Sequence, residues 1–262
     1  MNEKQQIITN FSKSAPHYER FSTIQRRVFL SLIAPMIQGG EFSLKKEEGA
    51  LKTYLNILDI GCATGGNTKI LLEYLPESRI LGIDISKKMI QTAKETFQDS
   101  RLTFETADIE DYSEQGLYDL IVSNATFQWL NNLPETLKNL KNALKPQGRI
   151  AFSYFGPQTF QELQTLFKQE PLSSKQFYSI EQLHSILKRG FSNVSIKESR
   201  YTLKYQSVKE LLRTIKYTGT RGAATASRGL WTPSVLFQLE NKYLEAYNEI
   251  RASYQVFYCY CS

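Results

Sequence analysis

Apolar and polar positions follow two different periods along the chain, and each period predicts one kind of element. Between residues 55 and 155, short apolar runs are separated by segments in which apolar residues recur every three or four positions. The runs predict strands at 55–59, 79–84, 102–105, 118–123 and 149–154. The segments between them predict helices at 68–75, after Ser86, and from Pro134 onward. Strands that alternate with helices in this way indicate a parallel sheet of right-handed βαβ units.

The flanking segments extend this core on both sides. Residues 1–38 predict a helix, because Ile24, Val28, Leu32 and Met36 recur at helical spacing. A polar linker, 39–54, follows. Beyond 156, the pattern is irregular over 157–178 and then predicts a helix at 180–187, a strand at 194–205, a helix–loop–helix over 207–249 and a strand at 254–260.

These elements define an expected organisation. It consists of a helical arm (1–54), an α/β core (55–156), a cap (157–250) with a sixth strand near 193–205, and a final strand (251–262). The fold class is α/β and Rossmann-like, with a mostly parallel seven-stranded sheet, an N-terminal helical arm and a helical cap. In such a sheet the ligand site lies at the carboxyl ends of the strands.

Composition changes this picture little. The chain has 262 residues, of which 41% are hydrophobic, and it contains no apolar run of membrane-spanning length. No secretory signal is evident at the N-terminus, so we expect a cytoplasmic protein without a membrane partner. The three cysteines, an odd number, are expected to be reduced. The net charge of +6 favours an acidic partner only weakly.

The strongest chemical signal is the segment that follows the first predicted strand, Asn56 to Gly66. Its glycines, including Gly61 and Gly65, allow a tight turn and a close approach of backbone to ligand. The spacing also resembles a degraded dinucleotide fingerprint. However, Asp59 stands immediately before the turn, where it would repel a pyrophosphate and attract the ammonium group of S-adenosylmethionine. The residues therefore favour S-adenosylmethionine over a nicotinamide cofactor.

Two further acidic residues end the next two strands. Asp84 is placed to accept hydrogen bonds from ribose hydroxyls, and Asp108 is placed to accept one from an adenine amino group. Either residue alone could be a simple strand-end cap. Three acidic residues at successive strand ends, with glycines after the first, favour a cofactor site.

Residues 50–155 resemble the class I methyltransferases, whose first motif is similar to the run from Asp59 to Gly65, with Ala63 where the family usually has glycine. The resemblance implies that S-adenosyl-L-methionine is the cofactor, S-adenosyl-L-homocysteine the product, and that no metal is needed. It also implies a set of cofactor-binding residues, which comprises Asp59, Gly61, Cys62, Ala63, Gly65, Asp84, Ile85, Met89, Asp108, Ile109 and Asn124.

Two other stretches indicate a particular family within the class I methyltransferases. Ser123 to Leu130 (SNATFQWL) resembles the S-N-x-x-x-Q-W stretch of small-molecule carboxyl methyltransferases, and the arm carries FSKSAPHY up to Tyr18, followed by Gln25 and Arg26. Together with FSYFGPQTFQEL near residue 155, these are similar to the malonyl-[acyl-carrier protein] O-methyltransferases of biotin synthesis. The resemblance implies methyl transfer to the free carboxylate of a malonyl thioester on an acidic acyl-carrier protein, which the net positive charge would help to dock.

Methyl transfer to a carboxylate needs no general base, because the acceptor is already ionised at neutral pH. The candidate catalytic residues are therefore groups that could shape a pocket or guide a carboxylate, namely Tyr18, Asn124, Phe127, Trp129 and Arg213. Tyr18 would close over the cofactor. Lys216 and Arg221 are alternatives to Arg213 as the guide for the carboxylate.

Three alternatives remain open on sequence. A trans-aconitate-type methyltransferase has the same chemistry without a carrier surface. A nucleic-acid methyltransferase fits the basic charge but not the absence of a clustered Lys/Arg stripe, so we expect no nucleic-acid partner. A non-catalytic domain that binds S-adenosylmethionine is the third. We expect a monomer.

Overall fold

The computed structural model describes residues 3–38, 55–167, 177–218 and 232–262. The predicted linker 39–54 and the loop with Arg221 lie outside the described residues. The helices are α1 (Glu3–Ser14), α2 (Tyr18–Phe21), α3 (Thr23–Gln38), α4 (Gly66–Tyr74), α5 (Lys87–Thr96), α6 (Leu133–Ala143), α7 (Gln161–Phe167), α8 (Ile180–Lys188), α9 (Val208–Tyr217) and α10 (Pro233–Tyr247). The strands are β1 (Asn56–Ile60), β2 (Arg79–Asp84), β3 (Leu102–Thr106), β4 (Tyr118–Asn124), β5 (Leu144–Phe155), β6 (Val194–Tyr205) and β7 (Ile250–Cys261).

All seven strands form one sheet in the order β3-β2-β1-β4-β5-β7-β6. The first five pair in parallel, and β7 runs antiparallel to both of its neighbours. This confirms the expected fold class. The strand order reverses between β1 and β4, and a crevice opens at the carboxyl ends of the strands at such a reversal.

Two apolar layers cover the sheet. One contains α3 and α4, and its side chains Val28, Phe29 and Leu32 have no exposed surface. The other contains α6 and α8, with Leu140 and Leu183 equally buried. Because α3 packs on β4 and β5, it belongs to the core of the fold. This fixes the rest of the arm near the carboxyl ends of the strands.

The structure departs from the sequence prediction in several places, one of which is the start of β5 at Leu144, five residues before the predicted strand. The arm is not one helix, because a 3-10 turn at Ala15–His17 separates α1 from α2. Pro16 explains this break, since it lacks the N–H that a continuous helix would need. Helix α7 lies in the segment predicted to be irregular, and β7 begins at Ile250, four residues before the predicted strand.

Candidate functional site

The turn after β1 has a backbone that few side chains tolerate. Gly61, Ala63 and Gly65 all have positive φ angles, of 71°, 49° and 83°. The Gly61 and Cys62 N–H groups donate to the carbonyl oxygen of Ile83 at 2.8 and 3.0 Å, which ties the turn to β2. A Cβ atom on Gly61 would lie 2.1 Å from Oγ1 of Thr126, so glycine is required there.

Asp84, at the end of β2, bridges this turn and the next helix. Its Oδ2 accepts a hydrogen bond from the Ala63 N–H at 3.1 Å, and its Oδ1 accepts one from the Ser86 N–H at 2.8 Å. Burial raises the pKa of Asp84 to about 6, although both N–H donors act in the opposite direction. The carboxylate lines a pocket at the carboxyl ends of β1, β2 and β4, where a ligand can share it.

Asp59 lies beneath the same turn and does not line the pocket. Its side chain accepts a hydrogen bond of 2.6 Å from Thr68 Oγ1, and the residue is 2% exposed. Burial, together with the negative charge of Asp84, raises the pKa of Asp59 to about 6. The two carboxylates make this end of the pocket electronegative.

The third acidic residue, Asp108, faces the arm across the pocket. Lys4 of α1 forms ion pairs with Asp108 and, at 2.8 Å, with Glu110. Glu110 also accepts hydrogen bonds from the Asn131 and Asn132 N–H groups at 2.7 and 2.8 Å. Asp108 and Ile109 line the pocket. The ion pairs of Lys4 therefore hold the first helix of the arm next to the end of β3.

Asn124 fastens the arm at the opposite side of the pocket. Its Nδ2 donates to the main-chain oxygen of Gln25 at 2.9 Å, and its Oδ1 accepts from Ser153 Oγ at 2.7 Å. Tyr18 and Gln25 line the pocket beside it. Within the described residues, neither the Tyr18 hydroxyl nor the Gln25 side-chain amide makes a hydrogen bond, and Gln25 is 3% exposed. The arm therefore supplies uncommitted polar groups to the pocket.

The two aromatic candidates after β4 have different positions. Trp129 lines the pocket, where its ring forms a T-shaped pair with the ring of Phe11, with centroids 6.4 Å apart. Phe127 is 1% exposed and packs on Phe152 at 4.8 Å, in the apolar layer with α6. Phe127 supports the wall behind the pocket without facing it.

Of the remaining predicted site residues, Ile85 lines the pocket and four others do not. Cys62 packs with Ile90 and Ala93 of α5, and Gly65 is the N-cap residue of α4. Met89 is fully buried beneath Ala15 and Ala63, where it supports the turn and the arm. Arg213 is exposed, and its guanidinium lies over the rings of Phe21 and Tyr217.

Several pocket residues were not among the predicted ones. They are Lys4, Ile7, Phe11, Gln25, Ile60, Ile83, Ala107, Glu110, Ala125, Thr126, Leu130, Phe155 and Thr218. Some of them are sequence neighbours of predicted site residues, and this proximity is the signal that could have identified them: Ala107, Thr126 and Leu130. Lys4 and Thr218 carried no signal. Lys4 reaches the pocket because α1 packs over the end of β3, and Thr218 because the end of α9 packs against the arm.

The described part of the chain shows no group of three or more potential metal ligands. The three cysteines are buried and unpaired. None of the helices in the described ranges is long and apolar enough to cross a membrane.

A family model described as a methyltransferase domain matches residues 51–214, so the fold, the pocket and the sequence together define the chain as a methyltransferase-family protein. Two curated relatives narrow this. Malonyl-[acyl-carrier protein] O-methyltransferase 2 of Ilyobacter polytropus is 35% identical over 94% of this chain and 92% of its own. The malonyl-[acyl-carrier protein] O-methyltransferase of Bacillus cereus is 34% identical over 87% and 84%. The chain belongs to the malonyl-[acyl-carrier protein] O-methyltransferase family.

Solved structures support the fold. The chain is similar to the YcgJ protein of Bacillus subtilis, with a TM-score of 0.59 and 12% identity over 88% of this chain and 97% of that one. It is also similar to phosphoethanolamine N-methyltransferase 2 of Haemonchus contortus in complex with S-adenosyl-L-methionine, with a TM-score of 0.57 and 17% identity. That match covers 94% of this chain and 56% of the other chain.

Proposed function

We propose that the chain transfers the methyl group of S-adenosyl-L-methionine to the free carboxylate of a malonyl thioester carried by acyl-carrier protein. Two relatives that match most of the chain are named for this reaction, which supports the proposal. The observation that carries it is the polarity of one pocket. Asp84 and the buried Asp59 adjoin its glycine turn, whereas the groups without hydrogen-bond partners on its arm side, Tyr18 and Gln25, are uncharged.

The residues present fit the proposed cofactor. Asp84 keeps acceptor capacity beyond its two backbone hydrogen bonds, which suits ribose hydroxyls. The negative charges of Asp59 and Asp84 suit a ligand with an ammonium and a sulfonium group. We assign Asp108 and Ile109, which line the same pocket, to the adenine. When bound, the cofactor supplies an electrophilic methyl group.

The acceptor end needs hydrogen-bond donors for a carboxylate. Burial and the charge of Glu19 raise the pKa of Tyr18, so its hydroxyl stays protonated and can donate. The Gln25 amide offers two N–H donors in the same pocket. Neutral donors can orient the acceptor oxygen. They also avoid placing a fixed positive charge next to the positively charged cofactor.

The arm also closes the pocket. It is held by the ion pairs of Lys4, by the bond from Asn124 to Gln25, and by a hydrogen bond of 2.9 Å between Ser12 and Ser86. A closed pocket excludes water, and this strengthens the electrostatic interactions within it. Catalysis is then mainly alignment, an effect worth up to ~7–11 kcal/mol.

The test is identification of the product. The protein is incubated with methyl-labelled S-adenosylmethionine and malonyl-acyl-carrier protein, and the acyl group is examined by mass spectrometry. A malonyl methyl ester on the carrier, cleaved by mild alkali to release labelled methanol, supports the proposal. Transfer of label to a carrier side chain, or no transfer, contradicts it.

A further inference from the structure

Helix α9 carries a row of cations on one face. Lys209, Arg213 and Lys216 are all exposed and follow one another at intervals of four and three residues. Such positions lie above one another on a helix. The opposite face, with Val208 and Leu211, is buried against the fold. The row therefore points away from the core.

Aromatic side chains next to this row of cations connect α9 to the arm. Phe21 of α2 stacks on Tyr217 of α9, with centroids 4.9 Å apart. The guanidinium of Arg213 lies 5.8 Å from the Phe21 ring centre and that of Arg20 lies 5.6 Å from it, while Lys216 Nζ lies 5.4 Å from the Tyr217 ring centre. Cation–π contacts of this kind order a cation without neutralising it.

These positive charges have no acidic partners among the described residues. Arg20, Lys209, Arg213 and Lys216 form none of the ion pairs found there. We refer to these four residues as the cationic rim. The neighbouring acidic residue Glu19 is already paired with Arg26 at 2.8 Å.

The cationic rim adjoins the pocket. Thr218, the residue after α9, lines the pocket, as does Tyr18 at the start of α2. Ser14 Oγ of α1 also donates to the main-chain oxygen of Lys216 at 3.2 Å, which holds the end of α9 against the arm. A partner bound on the rim would therefore stand beside the pocket entrance.

We infer that the cationic rim is the docking surface for an acidic face of the carrier protein, an inference that rests on the proposed function. Charge complementarity favours a macromolecular anion, because the charges lie outside the pocket on an open helix face. Inside the pocket, the cation of the described lining, Lys4, is already paired with Asp108 and Glu110. The rim thus recognises the carrier, and the pocket recognises the malonyl group.

The test compares two charge-reversal variants of the whole protein. In R213E/K216E the rim is reversed, and in the matched control K188E/R189E two exposed cations at the end of α8 are reversed by the same charge. Each is assayed with malonyl-acyl-carrier protein and with malonyl-pantetheine, which has no protein part. We expect KM for the carrier substrate to rise at least tenfold in the rim variant alone, with the rate on malonyl-pantetheine and the affinity for S-adenosylhomocysteine unchanged.

Salt gives a second measurement. The carrier reaction of the unmodified protein should slow as ionic strength rises, and the rim variant should lose most of that dependence. Equal kinetics of the two variants on the carrier, or an equal loss on both substrates, would overturn the docking surface. If the unmodified protein methylates neither malonyl substrate, the proposed function itself fails.

Discussion

Asn124 at the end of β4 donates its side-chain N–H to the main-chain oxygen of Gln25 in α3, at 2.9 Å. The bond joins residues 99 positions apart, and it connects the strand that ends at the pocket to the arm that covers it. The same side chain is held by Ser153 from β5. Asn124 therefore sets the distance between the sheet and the arm.

Asn124→Asp should break the hydrogen bond to Gln25 without changing the size of the side chain. The new carboxylate cannot donate to Gln25 and would face a carbonyl oxygen, so we expect turnover to fall about tenfold. The arm should also become more open to limited proteolysis between α2 and α3. Ser153→Ala, which leaves the bond to Gln25 in place, provides the comparison. An arm equally protected in Asn124→Asp and the unmodified protein would show that the bond does not hold it.

Tyr18→Phe removes one hydroxyl donor and keeps the ring. Since we assign that hydroxyl to the substrate carboxylate, turnover should fall by about tenfold or more while affinity for S-adenosylhomocysteine changes less than twofold. Steady-state kinetics and calorimetric titration measure the two effects. Unchanged turnover would assign Tyr18 to packing alone.

Gln25→Glu places a negative charge where we expect the malonyl carboxylate. Like charges should raise KM for the malonyl substrate at least tenfold, and the effect should be relieved as pH falls. Gln25→Met, similar in shape without the donors, should have a smaller effect. If the two variants have the same KM at neutral pH, Gln25 does not face the acceptor.

Asp84→Ala should weaken cofactor binding at least tenfold, because the side chain both organises the turn at Ala63 and faces the ligand. Asp111→Ala, at an exposed position in the turn after β3, should leave affinity unchanged. Titration calorimetry with S-adenosylhomocysteine measures both, and circular dichroism confirms that both are folded. Equal affinity of the two variants would remove Asp84 from the cofactor site.

The raised pKa values of Asp59 and Asp84 predict opposite pH dependences for stability and binding. A carboxyl with a pKa raised by folding stabilises the protein below its unfolded value of about 4, and this contribution is lost as pH rises through about 6. As pH rises from about 4 to about 6, the free protein should therefore lose the stability that these two carboxyl groups contribute. Over the same range its affinity for the cationic cofactor should increase, because the two groups ionise.

Thermal unfolding and calorimetry from pH ~4.5 to ~7.5 check these two trends. Asp84→Asn supplies the control, since it cannot titrate at that position and should show a flatter profile for both quantities. An affinity for S-adenosylmethionine that stays constant across the window would contradict the assignment of these carboxylates to a cationic ligand.

The sequence predicted the cofactor side of the pocket better than the acceptor side. Asp84 and Asp108 stand at strand ends, and the position of a strand end follows from a local pattern of apolar residues. Gln25 and Lys4 reach the pocket only because α3 packs on the sheet and α1 crosses its edge. Their contacts join residues about a hundred positions apart, which no local period encodes.

Two further discrepancies have particular physical reasons. Arg213 was a candidate because a guanidinium in the cap could guide a carboxylate, but the stacked rings of Phe21 and Tyr217 hold its guanidinium on the outer surface. Helix α7 lacks a clear period because its buried face includes Glu162, which accepts hydrogen bonds from the Ser253 N–H and hydroxyl at 3.0 and 2.6 Å. A buried carboxylate on a helix face conceals the apolar pattern.

The most direct test of the proposed function is a side-by-side assay of methyl acceptors. Labelled S-adenosylmethionine is offered with malonyl-acyl-carrier protein, malonyl-coenzyme A and free trans-aconitate, and kcat/KM is measured for each. We predict the highest value for the malonyl carrier, with the label in an alkali-labile ester. Labelling of trans-aconitate alone would contradict the proposed substrate while leaving the fold and the family in place.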